Sequence, residues 1–139
     1  LLKQKLDLVG VEYRQSNLAQ ATVLGCALQL KRADKVVIMD RIQRHQRKRF
    51  QTQPIHTYNV GSIFKNPPGQ FVARLIEEVR LKGMSFGGAR VSPIHANFIE
   101  NVSNAKAADV LELVRLIRER VRALRGITLE LEMKVVGEV

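Results

Sequence analysis

The chain has 139 residues and a formal net charge of +10, from 23 Lys and Arg against 13 Asp and Glu. Its length fits one domain, or one domain and part of another, and a hydrophobic content of 45% excludes a wholly disordered chain. No apolar run reaches the about 20 residues needed to span a bilayer, and the single cysteine, Cys26, excludes an internal disulfide and a Cys-cluster metal site and suits a reducing compartment.

The positive charge is uneven. Residues 1–55 hold 11 basic and 4 acidic side chains, and residues 56–139 hold 12 and 9. Such an excess points to an anionic partner: nucleic acid, phospholipid or a phosphorylated small molecule.

In chain order, Leu1 to Gly10 reads as the tail of an element that began upstream. Val11 to Ser16 fits a short strand or a turn. Leu24, Cys26, Leu28 and Leu30 alternate with Gly25, Ala27 and Gln29, a pattern that predicts a strand with one apolar face. Asp34 can cap a helix starting near Lys35. That helix carries Val37, Ile38 and Ile42, turns basic through Arg41, Arg44, Arg47, Lys48 and Arg49, and ends at Gln53-Pro54. Ile55 to Gly69, with Gly61, Pro67, Pro68 and Gly69, reads as loop and as a boundary between two units.

Phe71, Val72, Leu75, Ile76 and Val79 predict a helix from about Gln70 to Arg80. Gly83, Gly87 and Gly88 leave Met84 to Ser92 at best a short strand entered through turns. Asn104 is placed to cap a long helix with the stripe Val110, Leu113, Val114, Ile117, Val121 and Leu124, closed by Gly126. Ile127, Leu129, Leu131, Met133 and Val135 then alternate with polar residues in a last strand. The class is α+β.

Few residues announce chemistry by themselves. Glu132, beside Glu130 and Lys134 on the polar face of the last strand, is either part of a solvated face or a carboxylate aimed into a cleft to move protons. Ser62, between Gly61 and Ile63, fits either a local backbone hydrogen bond or an activated hydroxyl. His45, His56 and His95 are too scattered for a metal motif, and no metal site is expected. The run Arg41 to Arg49 reads as a solvated helix face. Nucleic-acid binding would call for exposed aromatics or a known module, and aromatics are only 5% of the chain.

Several motifs in series are more specific. Gly61-Ser62-Ile63-Phe64-Lys65-Asn66-Pro67 resembles the GSxFKNP motif of the UDP-N-acetylenolpyruvoylglucosamine reductase (UDP-N-acetylmuramate dehydrogenase) family. Leu75-Ile76-Glu77, Leu81-Lys82-Gly83, Gly87-Gly88-Ala89, Val91-Ser92, His95-Ala96-Asn97-Phe98-Ile99 and Asn101 come next, in family order. Tyr13-Arg14-Gln15-Ser16 resembles its YRxS motif, and Glu132 to Gly137 its ExRxxGE-type ending. The reading order resembles the family's shorter type, without an extra tyrosine-bearing loop.

The resemblance implies that residues 1–55 are the C-terminal part of a FAD-binding domain whose N-terminal part lies upstream. It implies that residues 56–139 are a small α+β substrate-binding domain. It implies a cytoplasmic flavoprotein in which NADPH reduces FAD. The flavin then reduces UDP-N-acetylglucosamine enolpyruvate to UDP-N-acetylmuramate, a peptidoglycan precursor. The partner is then a UDP sugar, with neither nucleic acid nor membrane, and the piece alone is expected to be inactive.

Ser62 matches the family's proton donor, Glu132 the glutamate that works beside it, and Arg14 the arginine whose fork suits a carboxylate gaining charge. Tyr13, Lys65, Asn66 and His95 match substrate-binding positions, many relatives having Gln at the last. Arg49 matches a basic position near the flavin and substrate phosphates. The chain departs from the family at Thr52, commonly a lysine, and at Tyr58-Asn59-Val60, commonly small residues. The alternative is a non-catalytic basic module that binds a UDP sugar or RNA.

Overall fold

The structure is a computed structural model, and it describes residues 10–18 and 21–137. The chain divides into two compact units, residues 1–38 and 39–139. The opening through Val9 lies outside the described residues.

In the first unit, β1 (Val11–Glu12) and β2 (Gln15–Ser16) form an antiparallel hairpin. Tyr13 and Arg14 make its turn, and Arg14 takes a left-handed φ of 58°. The strand predicted over Leu24 to Leu30 does not form. Residues 22–34 have no regular secondary structure, and Leu24, Leu28 and Leu30 are exposed. Alternation supplies an apolar face, but a strand also needs a neighbour for its N–H and C=O groups, and no described residue pairs with this one.

Helix α1 (Lys35–Thr52) begins as its sequence predicts: Asp34 Oδ1 accepts the Val36 N–H at 2.8 Å. It ends before Pro54, and no residue of it is buried.

The second unit holds the core. The stretch predicted as loop contains β3 (Tyr58–Asn59), the edge of a four-stranded antiparallel sheet. Its other strands are β4 (Ser85–Phe86), β5 (Ala89–Val91) and β6 (Ile99–Asn101), in the order β3-β6-β5-β4. Asn59, Glu100 and Arg90 stand in one cross-strand row. Glu100 is 1% exposed and accepts a 2.8 Å bond from Arg90, as a buried carboxylate requires.

Helix α2 is shorter than predicted, Val72–Glu78, because Arg80 turns to a left-handed φ of 56° just past its C-cap Val79. Helix α3 (Ala107–Arg125) lies against β4 and β5 and touches α2. Leu113, Val114, Ile117 and Val121 are its buried stripe, each side chain contributing about 1.5–3 kcal/mol of burial. They close a core with Phe64, Val72, Ile76, Val91 and Leu129.

The predicted cap at Asn104 does not hold. Asn104 takes a left-handed φ of 48°, and Asp109 reaches back from the first turn to accept the Lys106 N–H at 2.9 Å. The C-terminal stop at Gly126 is as predicted, with φ 68° and its N–H on the Arg122 carbonyl.

The last segment pairs more sparingly than its alternation predicts. Its one described bridge joins Leu131 to Phe64, antiparallel. The alternation survives as burial: Leu129 is buried, while Thr128 and Glu130 are exposed. No helix among the described residues is long and apolar enough to cross a membrane.

Candidate active site

The segment from Gly61 to Asn66 is the best-held loop of the second unit. Asn59 organises its approach. Its Nδ2 donates to the Pro54 carbonyl at 2.9 Å and the Thr57 carbonyl at 3.0 Å, and its Oδ1 accepts the Gly61 N–H at 3.0 Å. Gly61 then takes φ 86°, a conformation open to glycine at little cost, and delivers the chain to Ser62. Ile63 and Phe64, each 1% exposed, anchor the segment in the core immediately after Ser62.

Both edges of this segment are bonded. On one, the Lys65 N–H donates to the Glu130 carbonyl at 2.9 Å and the Glu132 N–H to the Ile63 carbonyl at 2.8 Å. On the other, Asn97 stands in for a strand. Its carbonyl accepts the Ile63 N–H at 2.9 Å. Its side chain accepts the Phe64 N–H at 3.0 Å and donates to the Phe64 carbonyl at 2.9 Å.

Ser62 is half-buried, and among the described residues its hydroxyl has no hydrogen-bond partner. The local backbone bond expected of a loop serine is therefore not made. Glu132 is half-buried and stands opposite Ile63, while the register sets Met133 opposite Ser62. The Lys65 ammonium pairs with the Glu130 carboxylate across the same ladder. Asn66 Oδ1 accepts the Val72 N–H at 3.0 Å and so caps α2, which has no cap from its own N-cap residue Phe71.

His95 is half-buried, its ring edge-on to Phe98 with centroids 4.9 Å apart. Its Nδ1 accepts the Asn97 N–H at 3.3 Å. Burial pushes its pKa below the usual histidine value, which favours the neutral ring at pH 7.

The structure thus gathers Ser62, Lys65, Asn66, His95 and Glu132 around one segment. Arg49 lies on exposed α1, where its Nε donates to Gln53 Oε1 at 3.2 Å. Tyr13 and Arg14 belong to the first unit. They are exposed at the hairpin turn, with the Arg14 guanidinium 5.7 Å from the centre of the Tyr13 ring. Sequence reasoning assigned nothing to Asn59 or Asn97. One signal was available: Asn97 is a lone polar residue among Ala96, Phe98 and Ile99, and a buried amide is normally bonded.

Comparison with known proteins places the chain among named relatives. A family model described as UDP-N-acetylenolpyruvoylglucosamine reductase, C-terminal domain, matches residues 53–136. The UDP-N-acetylenolpyruvoylglucosamine reductase of Chloroherpeton thalassium is 44% identical over 146 residues, covering 99% of this chain and 47% of that protein. That of Moorella thermoacetica is 47% identical over 127 residues, covering 91% and 42%. The crystal structure of the Thermus caldophilus UDP-N-acetylenolpyruvylglucosamine reductase superposes with a TM-score of 0.78 at 39% identity, covering 92% of this chain and 46% of that one. The chain spans less than half the length of these relatives.

Proposed function

The chain belongs to the UDP-N-acetylenolpyruvoylglucosamine reductase family, and on that premise we propose that it supplies the substrate-binding and proton-delivering part of such a reductase. The substrate is UDP-N-acetylglucosamine enolpyruvate, and the product is UDP-N-acetylmuramate for peptidoglycan synthesis in the cytoplasm. Residues 56–139 are the substrate-binding domain, and residues 1–55 complete a FAD-binding domain. The observation that carries this is Ser62: a hydroxyl without a partner among the described residues, on a backbone held at both edges.

Reducing the enolpyruvyl double bond adds hydride to one carbon and drives an electron pair onto the carbon beside the carboxylate. When bound, FAD reduced by NADPH would supply that hydride. The described residues fit one part of FAD, its diphosphate: Arg41, Arg44, Lys48 and Arg49 give exposed α1 the matching charge, and Arg49 is the residue assigned to hold it.

Ser62 Oγ–H protonates the carbanion, and the oxygen it leaves charged regains a proton from solvent. Glu132 takes the second proton-handling role beside it. The Arg14 fork binds the substrate carboxylate as its charge grows. His95, Tyr13, Lys65 and Asn66 take the substrate-binding positions that the family resemblance assigns to them.

The test is a chimera in which this chain replaces the aligned part of the Chloroherpeton thalassium reductase. Stopped-flow flavin absorbance then tracks reduction by NADPH and reoxidation by substrate separately. Ser62→Ala should slow reoxidation by roughly 10²- to 10⁴-fold and leave reduction unchanged. Equal slowing of both steps, or of neither, sinks the proton-donor assignment. A chimera that binds the UDP sugar without turnover points instead to a binding module.

A further inference from the structure

We propose that Asn97 is a positioning residue that fixes Ser62 and His95 relative to each other, an inference that rests on the proton-donor assignment of Ser62. All of its polar groups are engaged, and Asn97 is 4% exposed. Phe64 faces Leu131 in a pair that leaves Phe64's own N–H and C=O pointing away from the last segment. No strand among the described residues lies on that side to receive them. The Asn97 carboxamide receives both, at 3.0 and 2.9 Å, while its backbone carbonyl holds the Ile63 N–H and its backbone N–H holds His95 Nδ1. One residue therefore bonds the two positions after Ser62 and also contacts the His95 ring at Nδ1.

The residue type is constrained. Alanine would leave two buried backbone groups of Phe64 unpaired. Aspartate would keep the acceptor but set a second oxygen against the Phe64 carbonyl, unless protonated. Losing the carboxamide frees the segment that aims Ser62, and small displacements at a reacting group are costly.

The first readout needs no cofactor. In the 139-residue protein, amide hydrogen exchange by NMR compares wild type with Asn97→Ala and Asn97→Asp. Asn97→Ala should lower protection at Ile63 and Phe64 by about tenfold while Leu113, Ile117 and Val121 of α3 change less than about twofold. Asn97→Asp should lose the same protection at neutral pH and regain it in acid, where the protonated carboxyl again donates to the Phe64 carbonyl. It keeps the test open if the alanine variant does not fold. A uniform fall across α3 as well, or unchanged protection at Ile63 and Phe64, overturns the proposal.

The second readout is the chimeric reductase, where Asn97→Ala should slow flavin reoxidation by roughly 10- to 100-fold and spare reduction. If Ser62→Ala slows reoxidation and Asn97→Ala does not, the positioning role falls and the Ser62 assignment stands. If Ser62→Ala is itself silent, the Ser62 assignment falls and the positioning role with it.

Discussion

A serine that protonates a carbanion must be held still by its neighbours without its own hydroxyl being tied up, and Ser62 meets both conditions: bonded backbone on either side, no hydroxyl partner among the described residues. Sequence singled out the hydroxyl through its motif. It did not identify the devices that hold it, because Asn59 and Asn97 act through backbone groups, and Asn97 reaches residues 33 positions away. His95 carries a testable consequence of the same packing. Burial sets its folded pKa below 6.5, while the unfolded chain keeps the ordinary value. The unfolded state therefore binds the proton more tightly, so stability is full above pH 6.5 and falls as pH drops from 6.5 toward the folded pKa. Thermal melts from about pH 8 to about pH 5 should show the melting temperature falling on the acid side. His95→Gln should remove that part of the fall, and an unaltered acid slope in the variant would count against a buried neutral imidazole.

At the scale of elements, local signals were sufficient where an element closes on itself. Helix α1 starts at its Asp34 cap and stops before Pro54, and α3 buries its predicted stripe and ends on left-handed Gly126. Elements defined by a distant partner were not legible. β3 exists because β6 pairs with it, and the Leu24–Leu30 alternation yields no strand because no described residue pairs with it. The Gly87–Gly88 turn shows why such contacts matter. It docks the β4–β5 hairpin on the start of α3, with the Gly88 N–H on Asp109 Oδ2 at 3.1 Å and the Gly88 carbonyl accepting from Val102 and Ser103. Bonds from the Lys106 and Gly88 N–H groups hold the Asp109 carboxyl below the usual carboxylate range. A Cβ on Gly88 would lie 2.1 Å from the Ser103 carbonyl oxygen and 2.6 Å from the Ala105 nitrogen, both backbone atoms that cannot swing aside. Gly88→Ala should therefore destabilise by at least about 2 kcal/mol in denaturant titration. A loss below about 0.5 kcal/mol, the range of a neutral surface change, would mean that the hairpin does not seat against α3.

For the molecule as a whole, burial is confined to one stretch of chain. Every buried residue among those described lies between Pro54 and Leu129, and from Gly10 to Thr52 the described residues are exposed, apart from half-buried Leu18. The same stretch holds the core cluster, the four-stranded sheet and both α2 and α3. The described residues from 10 to 52 thus include no buried apolar side chain. Helix α1 has no buried face, so it lacks the tertiary packing from which most helices draw their stability and keeps only backbone bonds and surface contacts such as the Arg44–Asp40 ion pair. Two outcomes are expected from this one cause. Residues 53–139 produced alone should unfold cooperatively, with a melting temperature within about 5 °C of the 139-residue protein, the equivalent of roughly 1 kcal/mol for a domain of this size. Limited trypsin digestion of the whole protein should cut at Lys31 and Arg32 in the irregular segment, then along α1, and leave a resistant fragment beginning near Phe50. A resistant fragment that keeps α1, or a 53–139 protein without a sharp transition, would show that the first 52 residues bear on the core's stability after all. The retained fragment would carry Ser62, Lys65, Asn66, His95, Asn97 and Glu132 together, without Tyr13, Arg14 and most of the basic helix. Its affinity for a UDP sugar, compared with that of the whole chain by calorimetry, would then measure what the basic segment adds to anion binding.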